Sequence, residues 1–410
     1  MIENAGESWQ ASVDVTTPAV ILKLASDRFG HGPLGIARSL GRLGVTVHLA
    51  TPDARPPAAL SRYVARSWVL SNPADDDSVL RTLRSLATQA GGRPVLIATD
   101  DVAALFVDRQ LAQLRAVFSL PDQPAGLPRD LSNKRTLHER CLELGIPTPE
   151  SRIPRSLDEA HAAAAELGYP VVVKAADPRS ILGADGLPSV TIVRAADGLD
   201  ALFTHVDPAA EPVLLQEYIP GDSTSVWMFN GYFGRDGSCP IGIVGQKIRQ
   251  APPRTGATTL GVVVDNEAVR DLSTTFLGRL GYRGIVDLGV RFDARDGRYK
   301  VLDVNPRIGS SFRLFVAKGG LDVVRALYLD MTGQAIPPAR VDAGRRWWVE
   351  DRDTVTALKL LRSGELRLPA YLRSLRGTDE RALFARDDLR PVAALLQAKT
   401  ATLVRGALRR

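Results

Sequence analysis

Asp287, Asp303, Asn305 and Arg307 are the residues whose types and spacing most directly suggest chemistry. They fall in two alternating, β-branched stretches, residues 284–292 and 299–307, separated by the polar loop 293–297 that ends in Gly297. That pattern predicts a β-hairpin. A hairpin symmetric about Arg295 sets Phe292 opposite Arg298, Leu288 opposite Leu302 and Asp287 opposite Asp303. Cross-strand Cβ atoms lie about 4.5–5.5 Å apart, where like charges repel unless a cation sits between them. Strand alternation puts Asn305 on the face of Asp303, and Arg291 on the face of Asp287. Such hard oxygen ligands suit Mg²⁺, which keeps several waters and takes one or two carboxylates plus substrate phosphates. A solvated hairpin with scattered acids is the plain alternative. The continuation Asn305-Pro306-Arg307, an amide, a stop and a phosphate-binding guanidinium, favours the metal.

The stretch Leu302-Asp303-Val304-Asn305-Pro306-Arg307 resembles the metal-binding signature of the ATP-grasp superfamily, usually Glu-x-Asn-x-Arg, with Asp303 in place of Glu. The resemblance implies a nucleotide site upstream, and the chain offers residues for it in the expected order. Lys134 stands in the first turn of a helix predicted from Asp130 to Leu144, with Ser132 as its N-cap. A lysine there opposes the helix dipole, so an anion would explain it better than helix stability does. Lys174 is the single charge in the apolar strand 170–176, and a buried ammonium wants a fixed partner. The resemblance assigns both lysines to phosphate and adenine, and the loop 177–189, with Gly183 and Gly186, to a cover over the phosphates. Residues 213–222 read as a strand ending in a Pro-Gly turn. They are similar to the family hinge, in which Gln216, Glu217, Tyr218 and Ile219 meet the base and Asp222 holds the ribose.

Further along, Lys247 leads into the basic loop 251–256, a candidate contact for phosphate or an acidic substrate. The resemblance gives Arg307, Arg291 and Lys247 catalytic roles and places Gly309, Ser310, Ser311 and Arg313 beside the carboxylate to be activated. A helix cap and a surface arginine are the alternatives for the last two.

The elements that must position these residues follow from the rest of the chain. Residues 19–24, 45–49 and 95–99 read as strands alternating with helices over 34–43 and 78–89, which argues for a parallel α/β layer. Gly30-His31-Gly32-Pro33-Leu34-Gly35, with Asp53 beyond it, matches a dinucleotide fingerprint. Five residues separate it from its strand, and Pro33 removes an amide donor, so NAD is not expected. The expected fold is α/β and α+β. A Rossmann-like pre-ATP-grasp domain (1–120) is followed by an ATP-grasp domain (121–338, lid about 150–215) and a basic, mainly helical extension (339–410). In that extension Val392, Leu396, Val404 and Leu408 form an apolar stripe.

Composition agrees with a folded protein of several domains: 410 residues, 45% of them hydrophobic. The net charge of +6 sits in the tail, where residues 339–410 carry 16 Lys+Arg against 9 Asp+Glu. Such a tail suggests packing on the core, a homodimer contact or attachment to an anionic membrane surface. No nucleic-acid module accompanies it. The first fifteen residues lack a secretory pattern, no apolar run reaches membrane-spanning length, and Cys141 and Cys239 lack metal-ligand spacing. A reduced, cytoplasmic protein is expected.

The expected activity is that of an ATP- and Mg²⁺-dependent carboxylate-amine ligase of the D-aspartate ligase type, with Mn²⁺ as a substitute, acting on small-molecule carboxylate and amine substrates. A non-catalytic ATP-binding regulator, or a kinase or carboxylase needing no amine, are the other classes this order of residues allows.

Overall fold

The computed structural model describes residues 8–26, 31–176, 190–208, 212–253 and 255–396. The loop expected over the phosphates, Arg254, and the tail positions Val404 and Leu408 lie outside them.

The first layer is a four-stranded parallel sheet: β1 (Ala19–Leu22), β2 (Val47–Thr51), β3 (Val64–Val69) and β4 (Val95–Ala98), in the order β3-β2-β1-β4. Every residue of β1 is buried, as expected when helices cover both faces of a parallel sheet. The glycine-rich stretch after β1 is a packing surface. In the helix His31–Gly41, a Cβ on Gly35 would stand 2.9 Å from the Phe312 ring, and one on Gly41 would stand 2.5 Å from Tyr63. After β4, Asp100 caps the helix Asp101–Arg109 by accepting from the Ala103 amide.

A second, four-stranded antiparallel sheet holds β5 (Ser151–Arg152), β6 (Val171–Ala175), β7 (Val190–Val193) and β8 (Val213–Glu217), ordered β5-β8-β6-β7. The central sheet has seven strands: β9 (Val226–Phe233), β10 (Ile241–Ala251), β11 (Ala257–Val263), β12 (Gly284–Asp293), β13 (Arg298–Asn305), β14 (Arg346–Trp348) and β15 (Glu380–Arg381). Their order is β13-β12-β9-β10-β11-β14-β15.

The predicted hairpin is β12–β13, but its register differs from the symmetric expectation. Asp293 pairs with Arg298 and Phe292 with Tyr299, so the turn is one residue shorter and Asp293 joins β12. A bulge then shifts the pairing so that Gly289 opposes Asp303, Leu288 opposes Val304 and Asp287 opposes Asn305. The two carboxylates are therefore not directly opposite. Because the bulge and the shifted turn together displace the pairing by two residues, all three oxygen-bearing side chains keep one face.

Helix capping departs from expectation too. Ser132 closes the short helix Leu127–Ser132, and Asn133 caps Lys134–Glu143, its Oδ1 accepting from the Arg135 and Thr136 amides.

The region after residue 338 is helical in Glu350–Arg362 and Leu368–Ser374, and it also gives two strands to the central sheet. It is fixed by buried ion pairs. Asp353 accepts from Arg249 Nε and Nη2 at 2.9 and 2.8 Å, as well as from Thr259 Oγ1 and Trp348 Nε1. Asp388 accepts Arg38 Nε at 3.0 Å and Ser61 Oγ at 2.7 Å from the first layer. Of the expected apolar stripe, Leu396 is 60% exposed while its neighbour Leu395 is buried, so the face that packs is rotated by one residue.

Candidate active site

The three layers meet around a cleft with about 600 Å³ of space for water. Lys134, Lys174, Lys247, Asp287, Asp303, Asn305 and Arg307 all line it. The second sheet supplies Lys174 on β6, where alternation turns it away from the apolar core formed by Val171 and Val173. Its Nζ donates to Gln216 Oε1 at 2.7 Å, and Gln216 Nε2 donates to Ser151 Oγ. Burial, with the charge of Lys134 adding to it, pushes the Lys174 ammonium down to about 7. Lys134 is pushed down to about 8 by burial, with Asp101 pulling it up and Arg307 pulling it down. Its Nζ pairs with Asp303. Burial also lowers Lys247, against the pull of Asp287, and its Nζ donates to the Gly256 carbonyl at 3.0 Å.

The acidic side of the cleft is built by the hairpin and its neighbour. Asn305 Nδ2 donates to Asp303 Oδ2 at 3.0 Å. Burial raises the Asp287 carboxyl above the usual range, despite Arg307, Lys247 and Asn230. Asn230, wholly buried on β9, is the cross-strand neighbour of Asp287. Gly309 is required here: a Cβ would stand 2.5 Å from the Asp287 carboxyl carbon. A buried carboxylate beside a second carboxylate and an amide, all on one face of a cleft, is a donor set that fits a hard divalent cation.

Arg307 closes the far end. Its Nε and Nη2 donate to the two oxygens of Asp101 at 2.9 and 3.2 Å, and Nη2 also reaches Asn305 Oδ1 at 3.2 Å. Burial disfavours the guanidinium, but Asp101 outweighs it and the net shift is upward. Ser310 and Ser311 line this end. Arg313 does not join them. Its guanidinium is held by Glu380 at 2.7 Å and by Asp322, so it stitches the fold together outside the lining of the cleft.

Gln216, Glu217, Tyr218 and Ile219, at the end of β8 and just beyond it, also line the cleft. The Glu217 amide bonds the Glu150 carbonyl at 2.9 Å, and its carboxylate is pinned by Lys300 at 3.0 Å and Arg295 at 2.5 Å. Asp222 sits on the exposed turn beyond, its Oδ1 accepting from the Thr224 amide and hydroxyl. Arg291 belongs with this end and not with the acids: it stands four residues along β12 from Asp287, about 13 Å at strand rise, and donates to the Gly221 carbonyl at 2.7 Å.

Sequence reasoning missed Asp101, Asn230 and Lys300. Asp101 had a signal, since paired acids directly after a parallel strand stand where ligands meet open α/β sheets. Asn230 was visible as the one amide in an otherwise apolar strand. Lys300 gave no local sign.

Comparison with known proteins agrees with this geometry. The ATP-grasp domain model matches residues 131–311. D-aspartate ligase of Enterococcus faecium is 25% identical over 263 residues, 62% of this chain and 62% of the relative. Carbamoyl phosphate synthase large chain of Thermomicrobium roseum is 26% identical over 83% of this chain but only 31% of its own length. The chain thus spans less than two thirds of either curated relative. Among solved structures, N5-carboxyaminoimidazole synthetase from Staphylococcus aureus complexed with ADP superposes with a TM-score of 0.63 at 14% identity, covering 82% of each chain. L-amino acid ligase from Bacillus licheniformis gives 0.58 at 17% identity, over 78% of this chain and 75% of that one. The chain therefore carries an ATP-grasp domain over residues 131–311, in a fold shared with these synthetases and ligases.

Proposed function

We propose that this protein is an ATP-dependent, ADP-forming carboxylate-amine ligase. The observation that carries the reading is a single cleft with under-compensated lysines on one wall and a hard-oxygen face on the other. That is the charge pattern a magnesium nucleotide would satisfy. The names of the relatives, D-aspartate ligase and L-amino acid ligase, support an amino acid as the carboxylate partner.

A carboxylate is a poor acyl donor. In the proposed reaction its oxygen attacks the γ-phosphorus and ADP leaves; the amine then attacks the acyl carbon, loses a proton and expels phosphate. Phosphoryl transfer needs positioning and charge neutralisation more than covalent help. Lys134 and Lys174 hold the phosphates and offset their charge as it shifts. The hinge from Gln216 to Ile219 seats the base, with Asp222 and Arg291 toward the ribose. Arg307, fixed by Asp101, and Lys247 stabilise the transferring group and orient the acyl carboxylate beside Gly309, Ser310 and Ser311. Mg²⁺, or Mn²⁺ in its place, would be held by Asp287, Asp303 and Asn305 and would supply neutralisation of phosphate charge.

The division into residues 1–120, 121–338 and 339–410 belongs to the same proposal, as does a cytoplasmic location, supported by two free cysteines. Among the described residues no helix is long and apolar enough to cross a membrane. The basic tail keeps a homodimer or peripheral membrane contact as its proposed role.

The test is ADP release with ATP and Mg²⁺ across an amino-acid panel that includes D-aspartate, with hydroxylamine to trap an acyl phosphate. A hydroxamate formed with one carboxylate, and lost in Asp303→Ala, supports the ligase. ADP release without hydroxamate, or unaffected by added amines, points to a kinase or carboxylase. Nucleotide binding with no ADP under any substrate pair points to a regulator.

A further inference from the structure

The neutral surroundings of Lys174 are built by two residues of the second sheet. β8 lies between β5 and β6, and Gln216 pairs with Ser151 on one side and with Val172 on the other. Lys174 stands two residues beyond Val172, so alternation brings the ammonium, the amide and the hydroxyl to one face. Gln216 is 4% exposed, and both ends of its amide are occupied: Oε1 accepts from Lys174 Nζ at 2.7 Å and Nε2 donates to Ser151 Oγ at 3.1 Å. The Ser151 hydroxyl donates in turn to the Pro149 carbonyl at 3.0 Å.

A carbonyl only accepts, so the single Ser151 proton goes to Pro149 and Ser151 meets Gln216 with a lone pair. Only the NH2 group of Gln216 satisfies that lone pair, which turns the amide oxygen to Lys174. The reverse orientation would set donor against donor at Lys174 and take the serine proton away from Pro149, at a cost in a buried site. The charged groups nearby either repel Lys174 or have other partners. Lys134 repels it and is itself paired with Asp303. Glu217, the one titratable residue of β8, is held by Lys300 and Arg295, Arg152 of β5 bonds Glu166, and β7 carries no charge. An amide thus anchors the ammonium without cancelling its charge, as a carboxylate in the same place would.

Given the reading of the cleft as a nucleotide site, we infer that Ser151 and Gln216 are positioning residues for Lys174. They hold its ammonium by a neutral chain of hydrogen bonds that runs one way, so its charge is left for the phosphates. Titration calorimetry of the full chain with Mg²⁺ and the β,γ-imido analogue of ATP, from about pH 5.5 to 9.5, tests this in Gln216→Glu, Gln216→Met and Ser151→Ala. Wild-type affinity falls as pH rises through the value of the free lysine, about 7. The onset of that fall should move up by about one unit or more in Gln216→Glu, with affinity below the onset about tenfold weaker because the carboxylate cancels the charge. It should move down in Gln216→Met, which takes the acceptor away. Ser151→Ala, which frees the amide to turn, should weaken binding about threefold or more. An unmoved onset in a folded Gln216→Glu or Gln216→Met, with or without a loss of affinity, overturns the role of Gln216, and each variant reads that role alone. Wild-type affinity in Ser151→Ala overturns the role of Ser151. Either result leaves the nucleotide site standing, whereas absence of analogue binding in the wild type removes the nucleotide reading and this inference with it.

Discussion

Lys174 is an ammonium held by burial near neutrality, its one fixed partner an uncharged amide oxygen. A bound phosphate favours the charged form and raises its pKa, so nucleotide affinity is linked to pH. The free lysine lies at about 7. Affinity is therefore full below that pH and falls as pH rises through it, until the higher pKa of the bound state is reached. Between pH 7 and 9 the dissociation constant for an ATP analogue should rise by up to about tenfold per unit for each such lysine. Calorimetry in the wild type and in Lys174→Met checks this: the variant should bind about ten- to a hundredfold more weakly, as for a lost charge-assisted hydrogen bond, and show a flatter pH profile. An equally steep profile in the variant would assign the titration elsewhere. Lys174 was legible from sequence because a lone charge in an apolar strand demands a reason. Arg313 gave no local sign that Glu380, 67 positions away, would hold it.

The hairpin of β12 and β13 shows what an element does and does not reveal. Alternation and the glycine-ending loop announced both strands and the shared face of Asp303 and Asn305. Register escaped, because a bulge at Leu302 is decided by pairing across the sheet and not by local propensity. The extension after residue 338 is the counterpart. The helix Glu350–Arg362 was visible as a periodic stretch and Leu368–Ser374 was not, while β14 and the Arg249–Asp353 pair depend on contacts about a hundred residues apart. Asp353 is fully buried and accepts from three side chains. Removing it strands a buried guanidinium, so Asp353→Ala should destabilise the protein by about 3–5 kcal/mol. Denaturant unfolding followed by circular dichroism measures the loss; a shift under 1 kcal/mol would mean that Arg249 finds another partner.

At the scale of the molecule, the parallel layer, the second sheet and the central sheet each contribute groups to the cleft. The first layer gives Asp101, the second sheet gives Lys174 and residues 216–219 at and after its β8 end, and the hairpin gives the acids and Arg307. The order of these groups along the chain was readable, which is why the cleft was legible before its geometry was. The coupling through Asp101 was not, because it joins positions 206 residues apart. Asp101→Asn should leave nucleotide affinity within a few-fold, yet lower turnover on the order of a hundredfold as Arg307 loses its orientation. Steady-state kinetics beside analogue binding separates the two effects.

The most direct test of carboxylate activation follows an oxygen atom. With the carboxylate that supports ADP release labelled with ¹⁸O, and an amine acceptor present, ³¹P NMR of the released phosphate should show one ¹⁸O transferred per turnover. Phosphate free of label, with ADP formed at the same rate, would contradict an acyl phosphate and the ligase reading built upon it.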